Sequence, residues 1–385
     1  MKKWILWGFL FLSCLVFMNP SFPQEEHVER VVSIEVPVRV YKKGRFVRDL
    51  SIQDFMLLED GKPQRIDAVY LIKKKTIERE EKHEEAVKTI QPEIESRNFV
   101  FVFEIRHYLP RLNEVMDYFF NRVIDGDSLN VFTPVNSYSI KEDALKVLPK
   151  QRIADQLKAK LRKDIVQGSA DYRTFFGQIR KIMNTEGLSE GTKRLMCMDI
   201  LREMKAMKRF DEAKLVRLSE NLKKNEGQNH VFLFFQKESL PIPDVIGPFD
   251  KLEILKDISL DTKKIKACFS DSSISSHFVF ITRRPDYELD LTRLTSLDKS
   301  RIKMEDSSSE IFGAFNDLAK ATGGLTESSA NVAVAFEKTV EASENYYLIY
   351  YTPSDYKVDN KFHKIEIRIR GGGYRITHRA GYVAD

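Results

Sequence analysis

Cysteine is scarce in this chain: the 385 residues hold three, and Cys14 falls inside an amino-terminal apolar stretch. The other two, Cys197 and Cys268, lie far apart in sequence. They are read either as a pair in an oxidising compartment or as two independent buried thiols. Histidine is also sparse, and the seven present show no metal-ligand spacing. Long apolar runs are missing apart from Trp4–Met18, whose 15 residues fall short of the ~20 that a spanning helix needs. The charge balance is nearly even. The formal +5 drops to +3 once Lys2 and Lys3 are set aside, which removes any general argument for nucleic acid. No internal repeat is present.

What the amino terminus does contain is a positive Met1-Lys-Lys, the apolar run, and the breaker Asn19-Pro-Ser-Phe-Pro. This is the pattern of a secretory signal over residues 1–24, and it implies an exported protein, periplasmic or secreted. An uncleaved signal is the rival reading, and it would supply the chain's sole membrane contact. Lipidation of Cys14 is disfavoured because bulky Leu12 stands where a lipoprotein cleavage site wants a small residue. With 42% hydrophobic and 31% charged residues, the rest is an ordinary folded chain.

Within residues 27–72, read as one unit, the period is two from Val31 to Ile72. Val31-Val-Ser-Ile-Glu-Val-Pro-Val-Arg-Val-Tyr, a turn at Lys42-Lys-Gly-Arg and the hairpin signal Glu59-Asp-Gly-Lys predict a small β unit. Residues 73–97 hold seven basic and seven acidic side chains with almost no large apolar ones, and read as a charged linker or solvated helix. Then comes Asn98-Phe-Val-Phe-Val-Phe-Glu-Ile-Arg-His-Tyr108, in which Phe99 to Phe103 show no polar alternation. Both faces of this strand must be covered, as in a parallel sheet between helix layers. Further apolar strands at His230–Gln236 and Ser276–Thr282 alternate with helical sequence, so residues 98–344 predict a doubly wound, mostly parallel, Rossmann-like α/β domain. The last segment, 345–385, returns to period two and is expected to pack with the amino-terminal strands as an accessory β-sandwich-like unit.

In an open α/β sheet, ligands bind beyond the carboxyl ends of the strands, which singles out Glu104, Arg106 and Tyr108. Other motifs carry less. Gly187-Leu-Ser-Glu-Gly191 matches a hydrolase elbow but follows Asn184-Thr-Glu, which is no strand, so it reads as a turn between helices. Gly371-Gly-Gly reads as a hairpin turn because no helix follows. Lys141 to Glu226 holds 21 basic against 13 acidic residues; solvated helix faces are the plain reading and an acidic partner the other.

The motifs Val36-Pro-Val-Arg-Val, Asp49-Leu-Ser-Ile-Gln-Asp-Phe, Leu58-Glu-Asp-Gly-Lys-Pro-Gln, Leu318-Ala-Lys-Ala-Thr-Gly-Gly, Tyr346-Tyr-Leu-Ile-Tyr-Tyr-Thr-Pro and His378-Arg-Ala-Gly-Tyr, in this order, resemble bacterial exported proteins with a von Willebrand factor type A-related domain. That resemblance implies a type A fold and an adhesive or scaffolding role. Where such domains bind a cation they present Asp-x-Ser-x-Ser, a Thr from a later loop and a further Asp, because hard cations need several oxygen ligands. Here Glu104, Arg106 and Tyr108 take the first three places, Thr174 stands for the Thr, and Gln236-Lys-Glu replaces the last Asp. A guanidinium cannot ligate a cation, so the resemblance implies a degenerate adhesion site without metal or cofactor.

The expectation is a non-catalytic, exported protein-binding or scaffolding protein of the envelope. Its binding crest is Glu104, Arg106, Tyr108, Thr174 and Gln236, and it has a protein partner, no nucleic acid and no small-molecule substrate. A cation-dependent adhesin using Glu104 and Thr174 is the rival reading. An enzyme is a weaker one, since no nucleophile and base converge in the sequence.

Overall fold

Period-two sequence opens the part of the chain that the computed structural model describes: residues 32–82, 97–207, 212–225, 227–256, 262–272, 274–284 and 301–384. The signal expected over residues 1–24 lies outside these. β1 (Ile34–Lys42) buries Val36, Val38 and Val40 completely and turns tightly into β2 (Arg45–Phe46). β3 (Phe55–Glu59) and β4 (Lys62–Gln64) are joined through Asp60 and Gly61, at φ 49° and 80°, the left-handed pair that an Asp-Gly hairpin turn requires. β5 (Ile66–Lys73) pairs with β6 (Thr76–Lys82), a strand within the stretch read as linker or solvated helix. Its Glu and Arg residues hide the strand signal, and they suit a sheet edge, where charge discourages pairing with other chains.

β7 (Arg97–Glu104) is followed by α1 (Leu112–Tyr118), which runs into a π turn at Phe119–Val123, and then by β8 (Ser128–Phe132) and β9 (Ser137–Ile140). Five helices come next: α2 (Glu142–Val147), α3 (Lys150–Gly168), α4 (Ala170–Asn184), α5 (Glu190–Ala206) and α6 (Glu212–Lys223). β10 (Gln228–Gln236), β11 (Ser239–Pro243), α7 (Pro248–Lys256), α8 (Thr262–Asp271), β12 (Ile274–Ile281) and β13 (Ile302–Asp306) lead to α9 (Ser309–Ala321), β14 (Thr326–Ser329) and α10 (Val332–Glu344). The chain closes with β15 (Asn345–Tyr351), β16 (Phe362–Ile369), β17 (Arg375–His378) and β18 (Gly381–Val383).

One mixed sheet runs in the order β14-β12-β10-β7-β8-β9, parallel except at the β8–β9 edge. Phe99, Phe101 and Phe103 of β7 pack on one face with α1, α3 and α10, while Val100 packs on the other with α6, α8 and α9. The remaining sheets are antiparallel throughout. β1 lies between β15 and β17, β15 between β1 and β5, and β16 between β3 and β18, so strands from both ends of the described chain share two sheets; β11 and β13 form a third.

This corrects the expected doubly wound, mostly parallel, Rossmann-like and type A-like architecture. Among the described residues the protein is mixed α/β with mostly antiparallel sheets and a single mixed one. Apolar periodicity reports that the faces of a strand are covered, but it carries no strand direction. The many period-two strands outside the mixed sheet pair antiparallel and set the balance.

Cys197 and Cys268 are free thiols, and burial pushes the Cys197 thiol up to about 11. β10 and β12 also bury two imidazoles side by side, His230 and His277. The Leu325 amide donates to His277 Nδ1 at 3.3 Å, which leaves the proton on Nε2, 3.5 Å from His230 Nδ1. Burial holds both rings well below the usual histidine range, helped at His230 by His277 itself and at both by the Arg39 charge.

Candidate functional site: an arginine-lined cleft

β7 ends at Glu104, and the chain then crosses the carboxyl ends of the mixed sheet through Ile105 to Leu109. Ile105 and Leu109 are buried and anchor this crossing. Between them, Arg106 Nε donates to Glu238 Oε1 at 2.9 Å and its Nη2 donates to the Met207 carbonyl at 3.1 Å. The His107 amide donates to Gln236 Oε1 at 2.9 Å, and Gln236 Nε2 donates to the Arg283 carbonyl at 3.1 Å. A fully buried amide with two fixed partners is satisfied, and it ties the crossing to the ends of β10 and β12.

Glu104 is half-buried beneath this network. Burial raises its carboxyl to about 7 against the pull of the Arg106 charge, and nearby Glu238 raises it further. Near neutral pH the group is therefore split between charged and neutral forms. This is a poor start for a hard-cation site, which needs several ionised oxygens.

Of the five residues expected at the crest, Glu104, Arg106 and Gln236 come together there, joined by Glu238. Tyr108 faces a neighbouring cleft, where its hydroxyl donates to Asn113 Oδ1. Thr174 does not join them. It is exposed on α4, its Oγ1 donating to the Ala170 carbonyl at 3.0 Å within the same helix.

The cleft has a volume of about 350 Å³ and is bounded by Arg106, His107 and Tyr108 on one side and by Arg162, Ser169 and Arg173 from α3 and α4 on the other. Arg162 places its guanidinium carbon 5.9 Å from the centre of the Tyr108 ring, within cation–π range. Burial raises the Tyr108 hydroxyl, and the charges of Arg162 and Lys158 pull it back. Arg173 is held by Ser169 Oγ and by the Val166 carbonyl at 2.9 Å. No carboxylate is among the described residues lining the cleft. Arg162 can meet a carboxylate or another planar anion with paired N–H donors, while Arg106 and Arg173, held by Glu238, Met207, Ser169 and Val166, add positive charge around the same concavity.

Sequence reasoning missed Arg162 and Arg173. The signal that points to them is the basic excess between Lys141 and Glu226, whose plain reading as solvated helix faces left the cleft out. Set against protein-family models, curated proteins and solved structures, the chain matches none of them.

Proposed function

We propose that this is a non-catalytic, exported binding protein of the bacterial envelope, and that the cleft beside Tyr108 takes an anionic side chain of a protein partner. The observation that carries the proposal is the convergence of Arg106, Arg162 and Arg173 on a cleft with no lining carboxylate among the described residues. Arg106 is ion-paired with Glu238 on its far side, while Arg162 and Arg173 are exposed, and like charges gathered around one concavity raise the local concentration of a counter-charge. The signal-like amino terminus supports export. The motifs at both ends of the chain, similar to those of exported type A-related proteins, support a binding role.

A photoreactive side chain at Val166, on the wall of the cleft, tests this in intact cells. The expected result is a discrete protein adduct in the envelope fraction that disappears with Arg162→Glu. Adducts that are unchanged by Arg162→Glu, or that arise equally from Phe249, which is 90% exposed and does not line the cleft, contradict the proposal. So does an intact chain beginning at Met1 in the cytosol.

A further inference from the structure

Three metal-ligating side chains converge on the hairpin of β3 and β4, on a different sheet from the cleft. Glu59 ends β3, Asp60 occupies the turn, and His363 comes from β16, the antiparallel neighbour of β3. One ligand atom from each lies within 4.8 Å of the others. His363 Nδ1 is 2.9 Å from Asp60 Oδ2 and 3.9 Å from Glu59 Oε1. Metal–ligand bonds of about 2.0–2.2 Å in a tetrahedral site set the ligand atoms roughly 3.3 Å apart, so the two observed separations bracket what a bound ion needs.

The other atom of each ligand is already held. The Lys364 amide donates to Asp60 Oδ1 at 2.9 Å, the Tyr351 hydroxyl donates to Glu59 Oε2 at 2.6 Å, and Asp359 Oδ1 lies 3.3 Å from His363 Nε2. The Tyr382 ring stacks on the imidazole at 5.5 Å and 24°. An outer carboxylate on the far nitrogen of an imidazole is the device that fixes tautomer and ring direction at metal centres. Glu59 is 8% exposed and is hydrogen-bonded by the Tyr351 and Tyr382 hydroxyls, so its carboxylate is held in place facing the imidazole.

We propose that Glu59, Asp60 and His363 form a binding site for a divalent transition cation of the zinc type. Two carboxylates balance the charge of the dication, and the imidazole nitrogen favours zinc over calcium, which prefers an all-oxygen cage. Three protein ligands leave a fourth tetrahedral position for water. The bound ion clamps the β3–β4 hairpin to β16, joining strands that come from the two ends of the described chain.

The full-length protein, dialysed against chelator and titrated calorimetrically with zinc alone, tests this. Wild type is expected to take up about one equivalent, with His363→Ala abolishing uptake and Asp359→Ala weakening it by about 10-fold or more, as outer-shell losses do. Glu59→Gln and Asp60→Asn keep the bonds from Tyr351 and Lys364 and so preserve the fold. Each should weaken zinc by at least about 10-fold while leaving circular dichroism unchanged. Calcium alone should give no heat at this site. Three results overturn the proposal: no zinc uptake by wild type, wild-type affinity in both isosteric variants, or a preference for calcium.

Discussion

Arg106 and Glu238 form an ion pair at 2.9 Å in which the acid side chain is only 6% exposed and the arginine 14%. A nearly buried carboxylate therefore fixes, from behind, a guanidinium that lines the cleft. Arg106→Ala removes this cation from Glu238 and the larger of the two charges that restrain the proton affinity of Glu104. Breaking a largely buried pair from one side costs about 3 kcal/mol. Urea unfolding should show a loss of that size, and Glu238→Gln added to Arg106→Ala should recover part of it. Strictly additive losses in the double variant would show that the two residues are not coupled.

Glu104 gives a pH dependence of definite sign. Its carboxyl is raised to about 7 by burial, so the folded chain holds this proton more tightly than the unfolded one. The stability it contributes is complete below about pH 4.5 and is lost as pH rises through about 7. Glu104→Gln cannot ionise. It should match wild type most closely near pH 5 and exceed it by on the order of 2 kcal/mol at pH 8. Equal stability at both pH values would contradict the raised carboxyl of this half-buried group.

The His230 and His277 pair acts in the opposite direction. Both are held neutral well below the ordinary histidine range, so only the unfolded chain takes up these protons as pH falls from about 6.5. Their contribution to stability is present above that pH and is lost below it, at up to about 1.4 kcal/mol per pH unit for each ring. His230→Leu should make chemical unfolding less sensitive to acid than wild type between about pH 6.5 and 5, whatever its offset at neutral pH. An unchanged slope would mean that the imidazole already shares its protons with solvent.

Much of the secondary structure is legible in the sequence, and the reasons are physical. The run Phe99–Phe103 has no polar alternation, and its side chains do fill cores on both faces of a sheet. The Asp60-Gly61 turn announces its hairpin through the left-handed backbone those residues tolerate. Strand direction is another matter. The return to period two at residue 345 leads to the expectation that the two ends pack together, but the order and direction of pairing, with β15 inserted antiparallel between β1 and β5, are carried by no local pattern. β6 was hidden by its charge, and β14, Thr-Glu-Ser-Ser, by having no apolar residue at all.

The crest was partly legible. Glu104, Arg106 and Gln236 follow from the rule that ligands gather at the carboxyl ends of strands, and the chain does bring them together. Thr174 rested on a motif position alone, and a helix carries it to an exposed surface. Arg162 and Arg173 were visible only as part of a basic excess. The β3–β16 cation cluster was invisible because His363 stands 303 positions from Asp60, far beyond any spacing rule for a local metal motif.

The central claim is that the cleft binds an anionic side chain, and calorimetric titration of the purified protein with a glutamate-rich peptide tests it most directly. Loss of one charge-assisted contact is worth about 1.5–3 kcal/mol, so Arg162→Ala should weaken binding by about 10-fold or more. Affinity should also fall as salt rises, because the cleft is partly open to solvent. A glutamine-rich peptide should give no heat. Binding that is unaffected by Arg162→Ala and by salt, or equal binding of the glutamine peptide, would contradict the account.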